Sequence, residues 1–144
     1  MKKILLLAVL IASACLQSCN SSDDNGDANQ TIVGSWYLKS GNGTISGRVD
    51  EFADEQITWS FMSNNTVAIV NTVTDPNKLS GLPSGTYTYA ITNNADSPDC
   101  PKTVIINSNA YHCSTITSSE MQVGDGFADG VYYTFQPAPQ MVTF

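Results

Sequence analysis

Apolar and polar residues alternate along most of the chain after residue 32. In segment 56–62, for example, Ile57, Trp59 and Phe61 are separated by small polar residues. Side chains two positions apart share one face of a β-strand, so this pattern is typical of a half-buried strand. Eight such segments predict strands at Val33–Ser40, Gln56–Met62, Thr66–Val73, Thr86–Thr92, Thr103–Asn107, Ala110–Thr117, Glu120–Val123 and Gly130–Gln136.

Turn-forming residues separate these segments. Asn64-Asn65 predicts a tight turn because asparagine tolerates positive φ, and Gly124–Asp129 is a glycine-rich connection in which Asp125 and Asp129 are interpreted as turn residues. A helical pattern is hinted at only in Arg48–Gln56, for about one turn, within the long connection Gly41–Glu55.

Consecutive short strands joined by tight turns predict an all-β antiparallel meander. An eight-stranded meander has two edge strands, and closure into an up-and-down barrel removes both of them. An eight-stranded barrel is therefore the predicted architecture. An open β-sandwich is the alternative.

The amino terminus carries an export pattern. Two lysines precede the apolar run Ile4–Ala14, which is much shorter than the ~20 residues that span a bilayer and is typical of a secretory signal. Leu16-Gln17-Ser18-Cys19 resembles the lipobox of bacterial lipoproteins. Ala12-Ser13-Ala14-Cys15 is a competing site with a poorer residue three positions before the cysteine. The resemblance implies that residues 1–18 are removed and that Cys19 is acylated and holds the protein on a membrane.

Residues 19–30 are almost entirely polar and predict a flexible tether, followed by one domain over residues 31–144. Cysteine followed closely by Ser-Ser-Asp-Asp resembles lipoproteins of the Bacteroidota, which implies an outer-membrane location facing the periplasm or the cell surface. Without residues 1–18 the chain has four basic and thirteen acidic residues, a net charge of −9. This charge excludes an electrostatic footprint for nucleic acid.

Two cysteines remain in the domain, Cys100 and Cys113. In an exported protein such a pair predicts a disulfide. If Ser108-Asn109 were the turn of the hairpin, Cys113 would lie opposite Val104, and the segment at Pro101 would have to fold back to form the bridge.

Residues for catalysis or metal binding are scarce. His112 is the only histidine, and it neighbours Cys113 on a predicted strand. A nucleophile needs an adjacent base and an orienting acid, and zinc needs three or four ligands, which no spacing here supplies. The acidic group Asp50, Glu51, Asp54 and Glu55 is interpreted as a charged loop. We therefore expect no enzymatic activity, no metal and no cofactor.

Several short motifs together resemble lipocalin-like domains. Gly34-Ser35-Trp36 stands on the first strand, and it is followed in order by Trp59-Ser60-Phe61, Gly85-Thr86-Tyr87 and Ser119-Glu120-Met121. The long first connection fits the same family. Lipocalins commonly carry an arginine near the end of the last strand, where this chain has Gln136. The resemblance implies a barrel with a ligand pocket that opens near the first long loop.

Aromatic residues are the candidates to line that pocket, with Phe52 as a lid. They are Trp36, Phe52, Trp59, Phe61, Tyr87, Tyr89 and Tyr133. A packed aromatic core is the alternative interpretation of the same residues. The two functional hypotheses are a binding module for a small, partly apolar ligand, and an envelope protein-interaction, inhibitor or accessory module with a filled barrel. The second predicts an exposed apolar patch around Phe127 or the tail 141–144.

Overall fold

A computed structural model describes residues 32–43, 45–125 and 130–140. The predicted signal, Cys15, Cys19, the tether, Phe127 and the tail 141–144 lie outside these residues. Within them the chain forms nine strands: β1 Gly34–Gly43, β2 Val49–Glu51, β3 Ile57–Phe61, β4 Thr66–Asn71, β5 Gly85–Asn93, β6 Lys102–Ile106, β7 Asn109–Ile116, β8 Met121–Gly124 and β9 Val131–Pro137.

Eight of these strands form a closed antiparallel barrel. From β3 to β9 each strand pairs with the next one in the chain, and β1 pairs with both β3 and β9. The predicted eight-stranded barrel is therefore confirmed. The alternative of an open sandwich is wrong, because the β1–β9 ladder leaves the sheet without free barrel edges.

Strand β1 is long enough to pair with three neighbours. Its first half lies against β3, with Trp36 opposite Trp59, while its second half pairs with β2. A register shift between Leu38 and Ser40 lets the strand continue along β9 to Gly43. The helical turn suggested for Arg48–Gln56 is wrong over its first half. There the chain pairs with the second half of β1 and forms β2 outside the barrel.

Side chains at alternating positions fill the barrel. The buried apolar residues are Ile32, Trp36, Leu38, Phe52, Ile57, Trp59, Phe61, Val67, Ile69, Tyr89, Val104, Ile106, Met121, Val123 and Phe135. Burial of each large side chain contributes about 1.5–3 kcal/mol. At the end where β1 begins, Trp36 Nε1 donates to the Ile32 carbonyl at 2.8 Å, and Phe61 meets Tyr89 edge-on with ring centroids 5.0 Å apart.

Asparagine and serine form two of the tight turns. Asn65 has φ 61°, which confirms the predicted turn at Asn64-Asn65. The turn between β6 and β7 consists of Asn107 and Ser108, with φ 44° and 71°, one residue earlier than Ser108-Asn109. This shift places Val104 opposite Tyr111.

The predicted disulfide between Cys100 and Cys113 is present. A register irregularity between Lys102 and Val104 brings the start of β6 to the level of Cys113. The segment before β6 folds back on itself. The Asn94 side-chain amide holds it there by donating a hydrogen bond to the Cys100 carbonyl at 2.9 Å. The bridge therefore joins the β5–β6 connection to the middle of β7.

Loss of this bridge is expected to lower stability without changing the fold. The double variant Cys100→Ser/Cys113→Ser should lose about 2–3 kcal/mol of unfolding free energy, because its denatured state regains the freedom of the loop that the bridge closes. Urea denaturation followed by tryptophan fluorescence measures the difference. Ser118→Ala, in an exposed turn, is the control. A midpoint equal to that of the unaltered chain would contradict the expectation.

Candidate functional site

The two ends of the barrel are built differently. The up-and-down order places the β1–β3 connection with its strand β2, the β4–β5 connection, the β6–β7 turn and the β8–β9 connection at one end, called here the mouth. The opposite end carries Ile32, Trp36, Phe61 and Tyr89 and is filled by them. A ligand that approaches the barrel interior therefore meets the mouth.

Residues 72–84, called here the cover loop, cross the mouth from β4 towards β1. Leu79 N–H donates to Asp50 Oδ2 at 2.9 Å, and the Asn71 amide donates to the carbonyls of Ser80 and Leu82 at 3.0 Å. At Gly41, a Cβ atom would lie 2.1 Å from the Leu79 carbonyl oxygen. Glycine at this position of β1 is therefore required for the loop to pack against the barrel.

The cover loop also lies against the aromatic interior. Gly81 has φ +74°, and a Cβ atom there would lie 3.3 Å from Trp59 Cζ2. Trp59 in turn packs on Phe135, with ring centroids 4.8 Å apart. Phe52 is buried, with Lys78 Nζ 5.8 Å from its ring centroid. These contacts seal the β1 side of the mouth.

A groove remains on the other side of the mouth, with a volume of about 550 Å³. It is called here the mouth groove, and it lies between the cover loop, the β6–β7 hairpin and the start of β9. Its larger lining side chains are Leu82, Tyr111, His112, Asp125, Val131 and Tyr133. The groove is therefore mixed in character: Leu82, Val131 and the tyrosine rings are apolar, and Ser108, Asn109, His112 and Asp125 are polar.

Tyr111 and Tyr133 form the inner wall of the mouth groove. Tyr133 precedes the buried Phe135 by two residues on β9, and Tyr111 lies opposite the buried Val104, so both rings face inwards. The rings meet edge-on, with centroids 6.3 Å apart. Burial raises the pKa of Tyr111 to about 12 and also raises the pKa of Tyr133. Both hydroxyls therefore keep their protons at neutral pH and can donate hydrogen bonds.

A larger depression, of about 650 Å³, lies outside the barrel beside the disulfide. It is lined by the β5–β6 connection, including the exposed Asp96 and Asp99, and by Thr103 and His112, with no phenylalanine, tyrosine or tryptophan among its described lining residues. Ligand sites in proteins are usually concave surfaces with apolar or aromatic walls and a few polar groups. The mouth groove differs from the larger depression in having two tyrosine side chains and Leu82 in its lining.

Most of the aromatic residues predicted to line a pocket lie elsewhere than the mouth groove. Trp36, Phe61 and Tyr89 are buried at the filled end, and Trp59 and Phe52 are buried in the interior. The Tyr87 hydroxyl donates to the Pro83 carbonyl at 3.0 Å. Of the seven, Tyr133 lines the mouth groove. A ligand-binding role for each of them stays a prediction.

Sequence reasoning missed Leu82, Tyr111 and Asp125 as lining residues. The inward direction of Tyr111 could be predicted from its pairing with Val104, but that register depends on the position of the β6–β7 turn. Leu82 belongs to a loop without periodicity, and Asp125 was interpreted as a turn residue. Only the placement of the loops around the mouth brings these three side chains together.

Several of the polar groups considered for chemistry have structural partners. Cys113 is in the disulfide, and His112 beside it is exposed. In the acidic group, Asp50 pairs with Arg48 and with the Leu79 N–H, and Asp54 pairs with Lys39. Among the described residues, no group of three or more histidine, cysteine or acidic side chains is placed to hold a metal ion.

The sequence matches no family model, no curated protein and no solved structure. Within the described ranges, no helix has the length and apolar character needed to cross a bilayer. The geometry of the mouth therefore carries the functional argument.

Acid is expected to loosen the cover loop. The Leu79 N–H and the Arg48 guanidinium hold the pKa of Asp50 below its usual range. Because the pKa of Asp50 is lowered in the folded chain, its ionised form stabilises the folded arrangement at pH values above the ordinary pKa of aspartate. This stabilisation is lost as the pH falls through the pKa of Asp50 in the folded chain. Hydrogen exchange of the Leu79 backbone amide, corrected for its intrinsic rate, should rise as the pH falls below about 4.

In Asp50→Asn the Leu79 amide should already exchange faster at neutral pH than it does in the unaltered chain. Its exchange should then change little as the pH falls. Asp54→Asn is the control, because Asp54 pairs with Lys39 and not with the cover loop. Equal protection of Leu79 in all three chains would show that Asp50 does not hold the loop.

Proposed function

We propose that this protein is a membrane-anchored lipoprotein of lipocalin-like type whose barrel binds a small, partly apolar ligand without chemically altering it. The observation that carries the proposal is the pair of inward-facing tyrosines at the mouth. Tyr111 and Tyr133 are only partly buried, and they face the mouth groove together with Leu82. A ligand that covers such partly exposed aromatic surface removes it from water, and this burial favours binding.

The size and position of the groove suit a small molecule. Its volume of about 550 Å³ lies within the usual range for ligand pockets, roughly 300–1,000 Å³. Below it, Trp59 and Phe135 fill the barrel axis. The ligand is therefore held at the mouth and does not enter the middle of the barrel.

The chain enters the barrel at the end opposite the mouth. Strand β1 begins at Gly34, at the filled end, so the tether that leads from Cys19 joins the barrel there. The mouth is therefore the end of the barrel that lies away from the point where the tether is attached. On an outer membrane, with periplasmic or cell-surface orientation, this arrangement leaves the groove open to solutes.

A protein-interaction module is the second candidate, favoured by one observation. Ile45 and Val49 are 69% and 56% exposed, beside and on strand β2 outside the barrel. A partner that covers this surface would leave the mouth groove free. Binding in the groove and binding at β2 are therefore separable by variants.

The neutral dye Nile red is expected to bind the mouth groove with increased fluorescence. In a chain that starts at residue 20, Leu82→Asp should weaken the binding by about tenfold or more, because a carboxylate replaces apolar lining. Val70→Asp is the matched control, since Val70 is 53% exposed on the outside of the barrel. Equal loss in both variants, or none in either, would argue against a ligand site at the mouth.

Cys19→Ser is expected to abolish metabolic labelling of the protein with palmitate and to release it from the membrane fraction. Cys15→Ser, in the competing site, should leave both unchanged. Labelling that survives in Cys19→Ser and disappears in Cys15→Ser would move the anchor to Cys15.

A further inference from the structure

We propose that the mouth groove selects organic cations, with the ammonium group of the ligand paired to Asp125 and its apolar part against Tyr111 and Tyr133. This inference rests on the function proposed above and adds the chemical class of the ligand. Four observations support it: a carboxyl group in the lining, two aromatic rings, the absence of lysine and arginine from the lining, and the net charge of the chain.

Asp125 supplies the carboxylate. It follows β8 directly, and its backbone N–H donates to the Val131 carbonyl at 3.3 Å, which ties it to the start of β9. Its Oδ1 atom is buried and has no hydrogen-bond partner among the described residues. A buried carboxylate oxygen without a donor is unfavourable. The Asp125 carboxyl group also lines the mouth groove, where a ligand ammonium group can pair with it in a charge-assisted hydrogen bond.

The two tyrosines supply the aromatic wall for the same ligand. The faces of aromatic rings attract cations, and such contacts contribute about 0.5–2 kcal/mol according to their exposure. Tyr111 and Tyr133 lie in one groove with Asp125 and meet edge-on, so their ring faces point in different directions. An amine carried on a ring or a short chain can contact the carboxylate and the aromatic surface together.

No lysine or arginine belongs to the lining described above. The basic side chains of the described residues are engaged elsewhere: Lys39 with Asp54, Arg48 with Asp50, Lys102 with Asn93, and Lys78 over Phe52. With a net charge of −9 after residue 18, the protein attracts cations and repels anions at long range. An anionic ligand would meet Asp125 without a compensating charge.

The test compares three ligands of similar size that differ in charge: phenethylamine, 2-phenylethanol and 3-phenylpropionate. Calorimetric titration uses the full-length lipidated chain in non-ionic detergent micelles, with empty micelles as the blank. The amine should bind about tenfold more tightly than the alcohol, and the acid should bind more weakly than both. The preference for the amine should fall as ionic strength rises.

Asp125→Asn should reduce the affinity for the amine to that for the alcohol and should leave the alcohol unchanged. Asp96→Asn is the matched control, because Asp96 is exposed in the β5–β6 connection, at the other end of the barrel, and does not line the groove. If Asp125→Asn fails to fold, the ratio of amine to alcohol affinity in the unaltered chain and its salt dependence decide the question.

Equal affinity for amine and alcohol in the unaltered chain would overturn the cation preference. An amine preference that survives in folded Asp125→Asn would also overturn it, because the carboxylate would then not be the selecting group. Neither outcome affects the binding of Nile red, whose loss in Leu82→Asp tests the groove itself. The two proposals can therefore fail separately.

Discussion

The ladder between β1 and β9 is the interaction on which the rest of the structure depends. It joins the two ends of the meander, so every barrel strand has partners on both sides and the interior is closed off from water. The register shift between Leu38 and Ser40 lets one strand make this closure and still pair with β3. The same long strand supports β2 on its outer side, and β2 in turn carries Asp50, which holds the cover loop.

Closure around large aromatic residues decides where a ligand can bind. Trp59 and Phe135 meet on the barrel axis, and Phe61 and Tyr89 fill the end where the chain enters. An eight-stranded barrel has an interior only wide enough for side chains or one small ligand, and here side chains occupy it. A concave surface remains at the mouth, where the cover loop covers one side and leaves Tyr111 and Tyr133 accessible from the other.

The mouth combines rigid and polar elements in a way that suits recognition. The tyrosines stand on barrel strands, where pairing on both sides fixes their positions, while Leu82 and Asp125 come from connections tied back to the barrel by hydrogen bonds. A site held by strands loses little conformational freedom when a ligand binds. The acidic groups near the first connection stabilise loops through Arg48 and Lys39, and among the described residues Asp125 is the carboxyl group that lines the groove.

The alternation of apolar and polar residues was sufficient to predict the eight barrel strands within a few residues of their ends, because strand periodicity is a local property. The pairing of Cys100 with Cys113 followed from the number of cysteines. Three features needed the folded chain: the extension of β1 to Gly43, the turn at Asn107-Ser108, and the path of residues 72–84 across the mouth. Each depends on contacts between segments far apart in sequence, which no local pattern encodes. The aromatic residues of the core and those of the groove carry the same alternating pattern, so only closure and the cover loop decided which of them face a ligand.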